Sequence, residues 1–251
     1  MNAVADWLVP DWGGRVLPGV HSMVTTRNTL PGDSRPPFDH FNLAGHVGDD
    51  PAAVAANRAR LRSLLPAEPL WLDQVHGITV LAAEQAVAGM KADASFARAP
   101  GVVCAVMSAD CLPLLLAARD GSVVAAAHAG WRGMANGVIE ATLAALGLSA
   151  EEIVAWLGPA IGSAAFDVGD DVRVAFLQHD AQAALAFHAL GQGKWLCDLY
   201  RLARQRLLAC GVPAAQISGG DLCTYADARR FYSWRRDGRT GRMVSLIWRA
   251  A

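Results

Sequence analysis

Three closely spaced apolar runs most constrain how this chain can fold. They occupy residues 101–107, 114–118 and 122–127, and none of them contains a charged side chain. Short apolar runs bounded by turn-forming residues, such as the Asp120-Gly121 dipeptide, are typical of strands buried inside a protein. The sequence therefore predicts an interior built on β-sheet.

Helical patterns and further strand candidates alternate along the rest of the chain. Helices are expected over residues 51–65, 169–179 and 197–210. An irregular or strand-like start is expected over residues 1–20. Additional strands are expected at residues 21–27 and 70–80, from Ile153 to the Gly-Pro turn at 158–159, near Ile217, and in a C-terminal hairpin around residues 237–239. The chain has no regular strand-helix-strand repeat, no GxGxxG and no P-loop. We therefore expect one α+β domain over residues 1–251, in which layered mixed β-sheets are flanked by helices.

Charge and hydropathy argue against several classes of partner. The formal net charge is −1 and 18% of residues are charged, so we expect no extended basic surface that binds nucleic acid or an anionic membrane. No apolar run reaches the roughly 20 residues that a membrane helix needs. The first residues lack a basic start, and the five cysteines form no CxxC pair. A cytoplasmic protein with reduced thiols is the expectation.

Three side chains with metal-binding chemistry stand where apolar strand candidates break: His76, Cys111 and His128. Two imidazoles and one thiolate leave one position open around a tetrahedral ion, as in catalytic zinc sites. The three residues are far apart in sequence. Their spacing alone therefore does not distinguish a metal site from histidines and a cysteine with purely structural roles. Gln74 and Asp110 are beside them in sequence, and each can be either a supporting or substrate-binding group or an ordinary turn residue.

The stretch HAGWRG, residues 128–133, adds a candidate anion site. Gly130 and Gly133 flank Trp131 and Arg132, and the residues after Gly133 have a helical pattern. The start of a helix presents free N–H groups, which together with Arg132 suit phosphate. The alternative is an ordinary strand-to-helix connection in which Arg132 pairs with a carboxylate.

The segments WLDQVHG, ADCLP, HAGWRG, GPAIG and FYSWRRDGRTGR, in this order, closely resemble the YfiH/laccase-domain family. The resemblance runs from Thr25 through FNLAGHVGDD to the terminal strand. It implies an α/β/β/α layered domain with a metal site on His76, Cys111 and His128. The chain departs from the family at Phe166 to Gly169, where Asp167 replaces the usual glutamate, so we do not carry over that glutamate's role.

The activity that the resemblance implies is purine nucleoside phosphorolysis: adenosine, methylthioadenosine, inosine or guanosine and phosphate give the base and ribose 1-phosphate. Adenosine deamination is implied too, with Zn²⁺ as cofactor and Cu²⁺ as a possible one. The three metal-site residues are the expected catalytic groups. The expected substrate-binding residues are Arg27, Asn42, Gln74, Asp110, Arg132 and Cys223. Further residues to check are His46 in the HVGDD motif and the arginines at positions 229, 230, 235, 236, 239 and 242. The oligomeric state stays open between a monomer and a homodimer.

Three alternatives remain open at this point: a copper oxidase, a thiol hydrolase, and a binding protein with a vestigial site that turns over no nucleoside. Relatives are also described as multicopper polyphenol oxidases, but a laccase-type cluster needs on the order of ten imidazoles, and the chain has seven histidines. A single copper ion at the His-Cys-His site is still compatible with the sequence. Alternatively, Cys111 is a nucleophile with His128 or His76 as its base, which suits a hydrolase that edits peptidoglycan precursors.

Overall fold

Two β-sheets pack face to face in the computed structural model, which describes residues 6–250. The strands are β1 (Trp7–Leu8), β2 (Val20–Thr25), β3 (Val80–Ala82), β4 (Ala94–Ala97), β5 (Val103–Ser108), β6 (Leu112–Ala118), β7 (Val124–Ala129), β8 (Ile153–Leu157), β9 (Asp167–Gly169), β10 (Phe187–Gly191), β11 (Lys194–Cys197), β12 (Ile217–Gly219) and β13 (Met243–Arg249). The first sheet has the order β1-β2-β13-β5 and the second β12-β8-β6-β7-β4-β3. A small third sheet, β10-β11-β9, lies at the edge of the helical layer.

Helices cover the outer faces of both large sheets. The helices of the described residues are α1 (Pro51–Arg62), α2 (Trp131–Asn136), α3 (Val138–Leu146), α4 (Asp170–Leu177), α5 (Leu199–Ala209) and α6 (Trp234–Asp237), of which α6 has no buried residue. There are also 3₁₀ turns at Ala150–Glu152, Ala181–Ala186 and Ala214–Gln216. Leu61 of α1 packs on the first sheet, whereas Ile139 of α3 and Leu202 of α5 pack on the second. The expected α/β/β/α layering and the α+β class are thus confirmed.

Burial on both faces explains why the three apolar runs are nearly continuous. Alternate residues of a strand point to opposite faces of its sheet. In β6, Leu115 contacts the layer between the sheets and Leu116 contacts the helical layer, and both are fully buried. In β5, Val106 and Ala105 are divided in the same way between the inner and outer layers. Neither strand therefore has a face on which polar residues would be favourable.

The polar break at residues 109–111 is a crossover between the two sheets. β5 pairs with β13 in the first sheet, while β6 pairs with β7 and β8 in the second. The chain turns between them at Asp110, whose φ is 96°, a left-handed conformation that few residues other than glycine adopt. Cys111 therefore lies at the point where the chain passes from the first sheet to the second.

Two expected elements are wrong. The segment expected as a strand at residues 70–80 is a loop with isolated bridges, and the strand is limited to Val80–Ala82. The reason is that backbone N–H groups of the loop donate to the Asp93 carboxylate and not to a neighbouring strand. The hairpin around residues 237–239 is absent, because Ser233 caps the short helix α6 and β13 pairs with β2 and β5. The sequence also gave no sign of the β10-β11 hairpin.

Several boundaries differ from the expected ones. The expected helix 51–65 ends at Arg62, and the expected strand 21–27 ends at Thr25. The helix after His128 begins at Trp131 and breaks at Gly137, whose φ is 105°, so it is two short helices. The helices expected at 169–179 and 197–210 are confirmed as α4 and α5. Residues 1–5 of the expected lead-in lie outside the described residues, and in residues 6–250 no helix is long and apolar enough to span a bilayer.

Candidate metal centre and substrate cavity

The side chains of His76, Cys111 and His128 converge. His128 comes from the end of β7, Cys111 from the crossover before β6, and His76 from the loop before β3. One potential ligand atom from each residue lies within 4.8 Å of the other two, and Cys111 Sγ is 3.7 Å from His76 Nε2. The two imidazole rings meet edge to face with centroids 4.8 Å apart. Three residues remote in sequence therefore form one cluster.

The buried carboxylate of Asp93 holds this cluster in place. Asp93 has no exposed surface, and its Oδ1 lies 2.9 Å from His128 Nδ1. The backbone N–H of His76 donates to the same oxygen, and those of Val75 and Gly77 donate to Oδ2. These bonds support the loop at His76, whose φ of 58° is left-handed. Because His128 Nδ1–H donates to Asp93, Nε2 is the nitrogen whose lone pair the neutral imidazole can offer to a metal ion.

Gly130 leaves space for the converging side chains. Its φ of −61° and ψ of 155° suit any residue, so its backbone does not require glycine. A Cβ at this position, however, would lie 2.8 Å from His76 Cδ2 and 3.0 Å from Cys111 Sγ. The absence of a side chain at residue 130 therefore allows His76 and Cys111 to approach each other.

The donor set and its spacing fit a single metal ion. Zinc bonds to imidazole nitrogen and thiolate sulfur are about 2.0–2.3 Å long, so tetrahedral ligand atoms lie roughly 3.3–3.7 Å apart. The Sγ to Nε2 distance of 3.7 Å already falls at that value, and the 4.8 Å limit on the remaining distances requires only a small closure. With three protein ligands, one position would face the cavity. The same nitrogen and sulfur donors also suit copper.

Charge coupling changes the pKa values of Cys111 and His128. Burial by itself would raise the pKa of the Cys111 thiol, but the charge and hydrogen bonds of His128 and His76 lower it to about 6. Burial would lower the pKa of His128, but the Cys111 thiolate and the Asp93 carboxylate raise it to about 9. Without a metal, the pair is therefore a thiolate and an imidazolium at neutral pH.

A cavity of about 380 Å³ opens beside the cluster. Its walls combine the three metal-site residues with aromatic and cationic side chains. They include Trp131, Phe166, Trp234, Arg132, Arg235, Arg242 and His46. A volume of this size holds a small organic molecule, and aromatic walls beside fixed polar groups are typical of ligand sites.

Three of the expected substrate residues line this cavity. Gln74 forms two hydrogen bonds with the backbone of Met107, at 2.7 and 2.8 Å, and so ties the His76 loop to the end of β5. Asp110 accepts from the Thr224 hydroxyl at 2.6 Å and from the backbone N–H of Arg235 at 2.7 Å. Arg132 is exposed at the cavity wall and stacks on Trp131.

The other three are not in the cavity lining. Arg27 is held by a salt bridge of 2.9 Å to Asp39 and by the carbonyl of Ala228. Asn42 is fully buried and makes hydrogen bonds within the protein. Cys223 Sγ accepts the N–H groups of Gly162 and Ala226. The structure gives each of these residues contacts within the protein, and their expected contact with substrate stays a prediction.

Sequence reasoning missed several residues of the cavity wall as substrate candidates. Phe166 and Trp234 carry no motif with a defined chemistry, and only the folded chain brings them into the cavity wall. His46 of the HVGDD motif and Arg242 of the C-terminal arginine cluster both line the cavity. Asp167, the position that departs from the family, makes a salt bridge with Arg235. The arrangement of α6, which replaces the expected hairpin, is what places Trp234 and Arg235 here.

Comparison with known proteins identifies relatives of this chain over nearly its whole length. Residues 21–250 match the family of multi-copper polyphenol oxidoreductase laccases. A Pseudomonas aeruginosa protein named purine nucleoside phosphorylase is 52% identical over 249 residues, which cover 99% of each chain. Purine nucleoside phosphorylase YfiH of Escherichia coli is 51% identical, over 96% of this chain and 98% of its own. A crystal structure of a Neisseria meningitidis protein aligns with a TM-score of 0.91 at 46% identity, over 98% of this chain and 99% of that one.

Proposed function

The chain belongs to the multi-copper polyphenol oxidoreductase laccase family, as its ordered motifs predicted, and we propose that it is a zinc-dependent purine nucleoside phosphorylase. The observation that carries this proposal is the convergence of His76, Cys111 and His128 on the wall of one cavity of about 380 Å³. The names of the relatives at 52% and 51% identity support the same reaction.

In the proposed reaction, a phosphate oxygen attacks C1′ of the ribose while the bond from C1′ to the purine nitrogen breaks. The base leaves with the electron pair and takes up a proton, giving the free purine and ribose 1-phosphate. Adenosine, methylthioadenosine, inosine and guanosine are the proposed substrates. Hydrolytic deamination of adenosine to inosine and ammonia is proposed for the same cavity.

The aromatic wall suits the base. Trp131, Phe166 and Trp234 line the cavity, and flat aromatic rings bind purines by stacking and by exclusion of water. Phe166 is nearly buried, whereas 58% of Trp234 is exposed, so we assign Trp234 to the rim and Phe166 to the inner wall. A nucleoside would then lie between these rings and the metal-site residues.

His76, Cys111 and His128 would hold the ion, with Asp93 fixing the orientation of His128. An ion with an open position supplies a Lewis acid that polarises a bound oxygen and lowers the pKa of bound water. Asp110 is a poor candidate for the acid that protonates the leaving base, because both its carboxylate oxygens accept hydrogen bonds from protein donors. We assign Asp110 to positioning Arg235 and Thr224.

A multicopper oxidase site fits this chain less well. In residues 6–250, His76, Cys111 and His128 are the one group of three such side chains close enough to share an ion. A laccase-type cluster needs on the order of ten imidazoles, so a single copper ion is the largest copper site that this arrangement supports.

One observation favours a second candidate function. The Cys111 thiolate, the His128 imidazolium and the Asp93 carboxylate form a chain of the kind used by thiol hydrolases. Such an enzyme would cleave an amide or ester, as in editing of a peptidoglycan precursor. The same sulfur cannot serve as a zinc ligand and as a free nucleophile at once, so chelators separate the two functions.

The test is phosphate-dependent release of adenine from adenosine, with the parent protein compared with Cys111→Ala and His128→Ala. We expect turnover that requires phosphate, is lost with a chelator and returns with zinc, and is at least 100-fold lower in both variants. Turnover of no nucleoside by the zinc-loaded parent would contradict the proposal. Hydrolase activity that survives the chelator and disappears in Cys111→Ala would favour the thiol enzyme. A cytoplasmic location is part of the proposal and would be checked by cell fractionation.

A further inference from the structure

Arg242 is a partly buried cation in the cavity wall, and no carboxylate within residues 6–250 forms a salt bridge with it. Its Nη1 donates to the carbonyls of Thr240 and Gly241, both at 2.9 Å. Nε and Nη2 donate to no acceptor in the part of the chain that the structure describes. A guanidinium withdrawn from water without a counter-ion is costly, and such a group is stabilised when an anion binds to it.

The other two arginines of the cavity wall differ from Arg242 in this respect. Arg235 makes a salt bridge with Asp167, which neutralises its charge. Arg132 is exposed to solvent over the ring of Trp131, where water screens its charge. Arg242 therefore has a charge that no salt bridge neutralises and is partly shielded from water, and both features strengthen its interaction with an anion.

The backbone of Arg242 is fixed by a buried amide. Asn42 has no exposed surface, and its Oδ1 accepts the N–H groups of Arg242 and Ala44, both at 3.0 Å. Its Nδ2 donates to Asp49 at 2.9 Å and to the carbonyl of Ala44 at 3.1 Å. These four bonds close the loop at residues 42–49 and attach it to the start of β13. Asn42 is thereby a positioning residue for Arg242.

The same loop brings His46 to the cavity next to Arg242. Partial burial lowers the pKa of His46, and the charge of Arg242 lowers it further, so the neutral imidazole is favoured. A neutral imidazole still has one N–H to donate. The negative groups that influence Arg242 are Cys111 and Asp110. A divalent ion bound to Cys111 would outweigh the thiolate charge and leave this part of the cavity positive.

We infer that Arg242 and His46 form a subsite for a phosphate dianion beside the His76-Cys111-His128 cluster, with Asn42 as the positioning residue. The inference deepens the proposed function and rests on it in so far as phosphate is the co-substrate. The planar guanidinium presents two parallel N–H groups to two phosphate oxygens, and His46 donates to a third. The dianion can be inorganic phosphate or the phosphate group of a nucleotide, since both offer the same oxygens.

The experiment is calorimetric titration of the zinc-loaded protein with inorganic phosphate and, separately, with adenosine monophosphate. The variants are Arg242→Gln, Arg242→Lys and His46→Gln, and the matched control is Arg119→Gln, an exposed arginine outside the cavity. Arg242→Gln is expected to raise the phosphate Kd about 10- to 100-fold, as loss of a charged hydrogen-bonding group does. Arg242→Lys should raise the phosphate Kd by a smaller factor, because lysine keeps the charge but lacks the two parallel N–H groups of the guanidinium. His46→Gln should raise Kd by about threefold or more.

Phosphorolysis gives the second readout. Arg242→Gln should raise the KM for phosphate, measured at saturating adenosine, at least tenfold. It should change the KM for adenosine, measured at saturating phosphate, by less than twofold. If Arg242→Gln does not fold, His46→Gln and Arg242→Lys carry the test, since His46 is exposed and lysine keeps the charge.

Equal phosphate affinity of the parent, His46→Gln and folded Arg242 variants would overturn the inference. So would a parent that binds neither phosphate nor adenosine monophosphate at 10 mM, a concentration on the order of weak-ligand Kd values. Binding that depends on Arg242 without any phosphorolysis would support the subsite and contradict the proposed function. Binding of adenosine monophosphate alone would assign the subsite to a nucleotide's phosphate group.

Discussion

Asp93 Oδ1 joins two candidate metal ligands, because it lies 2.9 Å from His128 Nδ1 and accepts the backbone N–H of His76, also at 2.9 Å. The carboxylate thus orients one imidazole directly and the other through its backbone. Its pKa is lowered: burial opposes ionisation, but the hydrogen bonds from His128, Gly77 and Val75 favour the charged form more. A single buried anion therefore organises the two histidines that would bind the metal.

Asp93→Asn is expected to weaken zinc binding by 10- to 100-fold, the usual effect of losing a carboxylate behind a metal-bound histidine. The amide nitrogen of asparagine donates hydrogen bonds and cannot accept them. It would face either the N–H groups of Gly77 and Val75 or the N–H of His128, which would then lose their acceptor. We expect a loss of about 1–3 kcal/mol in the free energy of unfolding for the same reason. Competition with a chromophoric chelator measures the zinc affinity, and Asp120→Asn at an exposed turn is the control. Equal zinc affinity of Asp93→Asn and the parent would show that Asp93 does not orient the ligands.

Gly130→Ala tests the close approach of His76 and Cys111. The added Cβ meets His76 Cδ2 and Cys111 Sγ, while the backbone angles of residue 130 suit alanine. The two ligand side chains must then move apart, and a clash of this kind costs about 1–3 kcal/mol. Zinc affinity should fall about tenfold or more with little change in the far-ultraviolet circular dichroism. Gly45→Ala, whose Cβ meets nothing within 4 Å, is the matched control and should bind zinc as the parent does.

The pH dependence of Cys111 alkylation tests the thiolate-imidazolium pair. In metal-free protein the pKa of Cys111 is lowered to about 6, so the thiol form dominates below that pH and the reactive thiolate above it. Alkylation by iodoacetamide should rise through about pH 6 and level off before pH 8. Cys104 and Cys197 should not react, because burial raises their pKa values. A rate that keeps rising to pH 9 would contradict the pairing, and bound zinc should protect Cys111.

Much of the fold follows from the sequence because apolar runs fix which strands are buried. β5, β6 and β7 have side chains covered on both faces, and that requirement is visible as uninterrupted apolar residues. The loop at residues 73–79 was not predictable, since its strand-forming residues are overridden by hydrogen bonds to Asp93, which is remote in sequence. The C-terminal hairpin was predicted wrongly for a similar reason, because β13 pairs with β2, which lies more than two hundred residues away in the sequence.

The site was predictable where the residue type itself carries chemistry. A histidine or cysteine at a strand break already suggests a ligand, and His76, Cys111 and His128 converge as the sequence indicated. Arginine and asparagine serve many purposes, so type alone could not separate Arg27, paired with Asp39, from Arg242 in the cavity wall. Asn42 shows the same limit, because its role depends on partners at positions 49 and 242.

Asn42→Ala is expected to separate positioning from general stability. Loss of the four hydrogen bonds of this buried side chain should lower the free energy of unfolding by about 2–4 kcal/mol, measured by urea denaturation. If Asn42 also positions Arg242, the KM for phosphate should rise at least fivefold while the KM for adenosine changes little. Thr142→Ala, which removes a buried hydroxyl that donates to the carbonyl of Val138 within α3, is the control for destabilisation without a change in phosphate KM. Equal changes in both KM values would indicate a structural role only.

The coordination of the bound ion tests the central claim most directly. Zinc K-edge X-ray absorption on the loaded protein should show one sulfur at about 2.3 Å and two imidazole nitrogens at about 2.0–2.1 Å. Cys111→Ser should lose the sulfur shell and keep the imidazole scattering. A spectrum of the parent without sulfur, or one unchanged in Cys111→Ser, would contradict a metal centre built from His76, Cys111 and His128.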